Sequence, residues 1–147
     1  RIASFGGIPH RMELVRDIDG VTYYNDSAST IPEATAAAVR SFSSPIILII
    51  GGTDKNLDFS VLEGLIKIPK AILLLRGSAT EKMKELFIRK GREDIREFST
   101  LEDAVLTAHT TAVAGDVVLF SPGCASFELF MNEFDRGITF KNIVHTL

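Results

Sequence analysis

Three short runs along the chain contain only apolar residues: Ile46–Ile50, Ala71–Leu75 and Val117–Phe120. A strand with one face in water alternates apolar and polar residues, whereas a strand covered on both faces is apolar throughout. The runs therefore predict buried strands of a parallel sheet. Because parallel strands need a crossover between them, the stretches in between must hold helices. The chain is predicted to be an α/β domain with a mostly parallel sheet and right-handed crossovers.

The stretches between these runs carry the start signals of helices. A Ser or Thr followed three residues later by Glu is the capping-box pattern, which satisfies free N–H groups at a helix start. Four such starts occur, at Thr30, Ser60, Ser78 and Ser99. The first predicts a helix over residues 31–42 with Pro32 in its first turn. A last helix is predicted from Ser126, with Phe127, Phe130 and Phe134 on its apolar face.

The chain opens with the pattern of a β-hairpin. Met12–Ile18 alternates as a half-buried strand does, Asp19-Gly20 is a turn signal, and Val21–Tyr24 follows as a second strand. This hairpin is expected to form an antiparallel edge of the sheet. A short, weaker strand is predicted at Ile95–Phe98, and residues 1–9 are predicted to be a linker.

Length and composition limit the class of protein. A chain of 147 residues suffices for one domain with a core, so residues 1–147 are expected to form a single domain. The net charge of −3 and the absence of a long apolar run give no indication of nucleic acid or membrane partners. One cysteine, Cys124, allows no internal disulfide and fits a reducing cytoplasm. Because the sequence begins at Arg1, it is expected to be a fragment of a longer polypeptide.

Three loops follow strands whose carboxyl ends would share one edge of the sheet: residues 25–30, 51–56 and 121–126. Ligands of open α/β sheets bind at that edge, so the loops are expected to line one crevice. Lys55 would hold a carboxylate or phosphate there, and Thr30 and Ser126 would add hydroxyl donors. Each feature also has a structural alternative: a solvated lysine, a capped turn without ligand, and an N-cap serine.

The other chemically active residues give weaker signals. The P-loop pattern G-x-x-x-x-G-K-[ST] is missing from the sequence, so this chain alone is not expected to hold a nucleoside triphosphate. Cys124 has no nearby histidine and is predicted to be a buried thiol. His10-Arg11 would reach a neighbouring domain or a phosphate, or would lie on a solvated edge. His109 and His145 are interpreted as structural or surface residues, and no metal site is predicted.

Four segments together resemble one known family. Gly7-Ile8-Pro9-His10-Arg11, Asn25-Asp26-Ser27-x-x-Thr30, Gly51-Gly52-x-x-Lys55 and Ser121-Pro122-Gly123-Cys124-Ala125-Ser126-Phe127 resemble the C-terminal domain of the Mur ligases. The resemblance covers essentially the whole chain, in order and with matching spacing. The Asn-Asp-Ser triplet points to the D-glutamate-adding members, which are the MurD-type ligases of peptidoglycan precursor synthesis.

The resemblance implies a Rossmann-like fold and a role in a three-domain, cytoplasmic and monomeric ligase. Two upstream domains would bind UDP-N-acetylmuramoyl-L-alanine and, through a P-loop, ATP with Mg²⁺. This domain would bind D-glutamate through Thr30, Lys55, Ser126 and Phe127, whereas Arg11 and Asp26 would contact the nucleotide. The domain would hold no catalytic residue of its own and, when isolated, would be folded but inactive.

The sequence departs from the family pattern at two positions. Ala28 stands where a lysine is common, and Glu133 replaces an aromatic residue that helps to cover the amino-acid pocket. Phe134 is a candidate to take over that cover, although one residue along a helix is a rotation of about 100°. Two alternatives therefore stay open: a Mur ligase for another amino acid, and a non-catalytic α/β module that binds an anion or a protein partner.

Overall fold

A six-stranded sheet flanked by helices forms the fold in the computed structural model, which describes residues 8–147. The strands are β1 (Glu13–Ile18), β2 (Val21–Asn25), β3 (Ile46–Ile50), β4 (Ala71–Leu75), β5 (Ile95–Phe98) and β6 (Val117–Phe120). The helices are α1 (Pro32–Arg40), α2 (Thr80–Arg89), α3 (Leu101–Thr111) and α4 (Glu133–His145), with a 3₁₀ helix at Ser60–Gly64. The α/β fold class is confirmed. Of the predicted linker, residues 1–7 lie outside the described part of the chain.

The strand order is β1-β2-β6-β3-β4-β5, and only the β1–β2 pairing is antiparallel. β6 therefore lies between β2 and β3. The register pairs Asn25 with Phe120 and Phe120 with Ile49, so the carboxyl ends of these three strands lie level with one another. The loops that follow them must leave the sheet side by side.

The predicted hairpin at the edge of the sheet is confirmed. Its turn places Asp19 and Gly20 at φ of 52° and 86°, which is the left-handed region that glycine adopts without strain. The Gly20 N–H donates to the Asp17 carboxylate across the turn at 3.1 Å. A bulge between Leu14 and Arg16 interrupts the ladder between the two strands.

The core lies on both faces of the sheet, as the apolar runs predict. All five side chains of β3 are completely buried. Ile46, Leu48 and Ile50 pack beneath α1, α2 and the 3₁₀ helix, whereas Ile47 and Ile49 pack beneath α3 and α4. Burying one such side chain contributes about 1.5–3 kcal/mol, so the central strands anchor the sheet on which the loops are mounted.

The predicted capping boxes are wrong in detail. The helix predicted over 31–42 begins at Pro32, and its N-cap is Ile31, whose side chain makes no cap. A residue before proline is forced to be extended, and Ile31 has φ −129° and ψ 151°, which moves the helix start one residue past Thr30. In α3 the cap is Thr100, not Ser99, and its hydroxyl accepts from the Asp103 N–H.

Two further helix starts differ from the predictions. The segment at Ser60 is a 3₁₀ helix without a side-chain cap. α2 begins at Thr80 behind an uncapped Ala79, and the Ser78 hydroxyl instead accepts from the Asp54 N–H. Between residues 8 and 147, no helix is both long and apolar enough to cross a membrane.

Candidate functional site

The three predicted loops do come together at the carboxyl edge of the sheet. Backbone hydrogen bonds tie them to one another: Gly51 N–H donates to Pro122, and Gly123 N–H donates to Ser29. Thr53 and Ala125 exchange two further bonds, at 2.9 and 3.2 Å. This close approach needs glycine, because a Cβ on Gly52 would lie 2.6 Å from the Ala125 carbonyl oxygen. The predicted convergence of the loops is confirmed.

A cavity of about 290 Å³, here called the Lys55 hollow, opens between these loops. It is lined by Thr30, Ile31, Lys55, Leu57, Ala125, Ser126, Phe127 and Glu133. All four residues that the family resemblance associates with the amino acid therefore lie around one cavity. Its volume is near the lower end of the usual range of ligand pockets, which begins at about 300 Å³. The lining includes one cationic residue, Lys55, and one anionic residue, Glu133, so the hollow suits a small charged molecule.

Lys55 supplies the positive charge of the hollow. Its side chain is exposed, and its Nζ lies 4.1 Å from the centre of the Phe127 ring. An ammonium group over an aromatic face is attracted by the ring's quadrupole, so this contact orients the lysine without neutralising it. Phe127 itself is 56% exposed, which is unusual for a phenylalanine and places its ring at the rim of the hollow.

Ser126 is buried, but the prediction that it opens the last helix is wrong. The backbone bonds of Ala125 to Thr53 hold the chain in an extended conformation at this point. A turn follows, and α4 begins only at Glu133, with the Asn132 side chain accepting from the N–H groups of Phe134 and Asp135. Because neither Ser126 nor Thr30 caps a helix, both hydroxyls can serve the hollow.

A second depression, here called the Arg11 groove, contains both predicted nucleotide contacts. It measures about 280 Å³ and is lined by Arg11, Met12, Asp26, Ser29, Ala34, Ala37, Ala38 and Ser41. Arg11 is exposed at the groove, whereas Asp26 is buried. The Asp26 carboxylate accepts from the Met12 N–H at 3.0 Å and from the hydroxyls of Ser121 and Ser29. Asp26 thus organises the loops from beneath, and Arg11 is the residue free to meet a ligand.

Sequence reasoning missed Arg136, the largest fully buried side chain that carries a charge. Its guanidinium donates to the Cys124 carbonyl at 3.0 Å, to the Ser27 carbonyl at 2.7 Å and to the Ser27 hydroxyl at 2.9 Å. Arg136 therefore joins the loop after β2 to the loop after β6. Burial lowers the pKa of Arg136 to about 10, which still leaves it protonated at neutral pH. No local sequence pattern predicts this role, because the three hydrogen bonds join Arg136 to residues that are distant from it in the sequence.

The structure also shows the environments of His10 and Cys124, which lie near the loops. His10 is buried instead of reaching outward: its ring contacts Asn25 Nδ2 at 2.9 Å and packs edge-on against Phe134. Only glycine fits at position 137, because a Cβ there would overlap the His10 ring. Cys124 is the buried thiol that the sequence predicts, and burial raises its pKa to about 12, so it is not a nucleophile at neutral pH.

Comparison with known proteins shows which family the sequence matches. Residues 10–124 match the family model described as "Mur ligase, glutamate ligase domain". The chain is 47% identical to a UDP-N-acetylmuramoylalanine–D-glutamate ligase of Borreliella burgdorferi and 46% identical to one of a Roseiflexus species, in each case over 99% of the chain. It spans about a third of the length of these relatives, 33% and 32% respectively.

Solved structures agree on the fold. A UDP-N-acetylmuramate–alanine ligase of Thermotoga maritima superposes on 97% of the chain with a TM-score of 0.65 at 13% identity, using 31% of its own length. A bifunctional folylpolyglutamate synthase/dihydrofolate synthase with Mn, AMPPNP and L-glutamate bound superposes on 94% of the chain with a TM-score of 0.66 at 16% identity, using 32% of its own length. At these identities the likeness concerns the fold alone.

Proposed function

The chain belongs to the family of the Mur ligase glutamate ligase domain, and from that membership we propose that it is the amino-acid-binding domain of an ATP-dependent ligase. The full-length enzyme would join D-glutamate to UDP-N-acetylmuramoyl-L-alanine, a step in peptidoglycan precursor synthesis. The observation that carries the proposal is the Lys55 hollow, in which Thr30, Lys55 and Ser126 meet from three separate loops. A cation and two hydroxyl donors are what a dicarboxylic amino acid needs.

The rest of the enzyme would supply the nucleotide chemistry. The chain lacks a P-loop sequence and spans a third of its relatives, so UDP-binding and ATP-binding domains are proposed upstream. Among residues 8–147, no three His, Cys, Asp or Glu side chains lie close enough to hold a metal ion. Mg²⁺ would bind together with ATP in the upstream domain, as the family resemblance implies. The Arg11 groove would face the nucleotide, with Arg11 as the contacting charge and Asp26 holding the loop in place.

The reaction would run through an acyl phosphate. The carboxylate of UDP-N-acetylmuramoyl-L-alanine attacks the γ-phosphorus of ATP, which releases ADP. The amine of D-glutamate then attacks the acyl carbon, phosphate leaves and the nitrogen loses a proton, so an amide forms. This chain's own contribution is to hold D-glutamate in the Lys55 hollow and, by closing on the other domains, to bring the amine to the acyl carbon.

Ala28 removes a positive charge that is common in the family next to the nucleotide. Here its backbone N–H donates to the His10 carbonyl at 2.8 Å, which fastens the loop to the segment before β1 without needing a side chain. The proposed enzyme would therefore rely on Arg11 for positive charge on this side. As the family resemblance implies, the proposed enzyme would be a cytoplasmic monomer, and the isolated chain is expected to be folded but inactive.

Amide formation by the full-length protein tests the proposal. The assay uses ATP, Mg²⁺ and UDP-N-acetylmuramoyl-L-alanine with a panel of D- and L-amino acids, and turnover is expected with D-glutamate alone. If another amino acid is turned over instead, the assignment as a ligase would stand, and the different specificity would be attributed to Ala28 and Glu133. A folded protein that turns over none of them would refute the ligase and favour a non-catalytic, anion-binding module.

A further inference from the structure

Glu133 lines the Lys55 hollow, and its carboxylate has no part in the roles assigned to Thr30, Lys55 and Ser126. We propose that this carboxylate accepts the ammonium group of the incoming amino acid and so completes the recognition of a zwitterion; the bound ammonium group then releases one proton, and the neutral amine attacks the acyl carbon. The inference rests on the proposed function and adds to it a specificity-determining residue. The family resemblance does not supply this role, because the family pattern has an aromatic residue at this position.

Two opposite charges line this hollow without contacting each other. Neither Lys55 nor Glu133 is among the ion pairs that residues 8–147 form. Lys55 rests on the Phe127 ring, and Glu133 is held by its backbone, whose carbonyl accepts from the Ser27 hydroxyl at 2.7 Å. A cation and an anion held apart around one cavity leave room for a ligand that carries both charges.

The chemistry of the ligand matches that arrangement. Glutamate presents two carboxylates and one ammonium group. Thr30, Lys55 and Ser126 donate hydrogen bonds and suit the carboxylates, but they offer the ammonium no anionic partner. An ammonium group that leaves water without an acceptor is strongly disfavoured. Glu133 carries the one carboxylate among the described residues lining the hollow, so it is the anionic acceptor there for the ammonium group.

Glu133 also has a purely structural role to be separated from recognition. It is the first residue of α4, where an acidic side chain interacts favourably with the positive end of the helix dipole. Glu102 occupies the first turn of α3 and does not line the Lys55 hollow. The substitution Glu102→Gln therefore removes a carboxylate from a helix start in the same way and serves as a matched control.

The test compares D-glutamate with glutarate, which has both carboxylates and no ammonium group. Dissociation constants for the two are measured by calorimetry with the full-length wild type, Glu133→Gln and Glu102→Gln. For Glu133→Gln, we expect the dissociation constant of D-glutamate to rise about 10- to 100-fold, the value of a charge-assisted hydrogen bond. That of glutarate should stay constant or fall, because the substitution removes a carboxylate that repels it. Glu102→Gln should change neither constant.

Several results would overturn the inference. They are an equal change for both ligands in Glu133→Gln, no change for either, or tighter binding of D-glutamate. If Glu133→Gln does not fold, Glu133→Asp is used instead. It should weaken the binding of D-glutamate but not that of glutarate, by a smaller factor than expected for Glu133→Gln. An equal effect on both ligands would again refute the proposal. If the wild type fails to bind D-glutamate, the proposed function itself is overturned. If the wild type binds D-glutamate and Glu133→Gln binds it equally well, only the role of Glu133 is overturned.

Discussion

Replacing Lys55 by alanine should raise the KM for D-glutamate and leave the KM for UDP-N-acetylmuramoyl-L-alanine nearly unchanged. Lys55 is the one cation lining the Lys55 hollow among the described residues, and its nearest aromatic neighbour does not neutralise it. The substrate carboxylate that it meets would lose its charged partner. The effect on kcat should be small, because binding that is equal in the ground state and the transition state appears in KM.

The magnitude follows from the surroundings of the lysine. Two unit charges about 4 Å apart interact by about 1 kcal/mol in water and about 4 kcal/mol at a partly screened protein surface. Lys55 is exposed in the ligand-free hollow, yet a bound ligand and the Phe127 ring would cover it from one side. An intermediate loss of about 2–3 kcal/mol corresponds to a rise in KM of roughly 30- to 150-fold.

Steady-state assays of amide formation with varied D-glutamate measure this rise. Lys67→Ala, an exposed lysine that does not line the Lys55 hollow, is the matched control and should leave both KM values unchanged. Lys55→Arg should restore part of the affinity, because it keeps the charge but changes its geometry. A KM for D-glutamate that stays at the wild-type value in a folded Lys55→Ala enzyme would remove Lys55 from the site and refute the reasoning.

Three further predictions concern the stability of the fold that carries the site. Arg136→Met should lower the free energy of unfolding by about 2–4 kcal/mol, because two buried carbonyls lose their donor. Urea denaturation measures this free energy. A value within about 0.5 kcal/mol of wild type, roughly the scatter of a surface substitution, would contradict the proposed role of Arg136 in joining the loops. Gly137→Ala should cost about 1–3 kcal/mol in the same assay through the clash with the His10 ring; a neutral change would show that the helix can shift away. Burial favours the neutral form of Asp116, but Lys70, 2.6 Å away, and a backbone N–H outweigh it and hold the pKa of that carboxyl below its usual value. A lowered pKa in the folded state gives stability that is complete above the unfolded pKa of about 3.9 and is lost as the pH falls through the folded pKa. Asp116→Asn should therefore lower the free energy of unfolding at pH 7 and make that free energy depend less on pH below about pH 4. An unchanged pH dependence in that range would refute this prediction.

The sheet could be predicted well because its signals are local. An apolar run such as Ile46–Ile50 leaves few alternatives to a strand buried on both faces, and the Asp19-Gly20 turn fixes the hairpin. Parallel strands also bring their carboxyl ends to one edge, which is why Lys55 and Ser126 could be expected in one cavity. The position of β6 between β2 and β3 could not be predicted, because it depends on packing between distant segments.

The errors occurred where a distant contact overrides a local pattern. The aromatic spacing after Ser126 is typical of a helix, but the bonds between Ala125 and Thr53 hold the chain extended at that point. A turn follows, and α4 starts seven residues after Ser126, at Glu133. His10 looked accessible beside Arg11, yet the absence of a side chain on Gly137 allows its ring to be buried against α4. Local propensity carries no information about either contact.

A crystal structure of the full-length enzyme with saturating D-glutamate tests the central claim most directly. We predict D-glutamate in the Lys55 hollow, with a carboxylate oxygen about 2.7–3.2 Å from Lys55 Nζ and hydroxyl contacts from Thr30 and Ser126. D-glutamate bound elsewhere, or an empty hollow at a ligand concentration that saturates turnover, would contradict the assignment of this cavity as the amino-acid site.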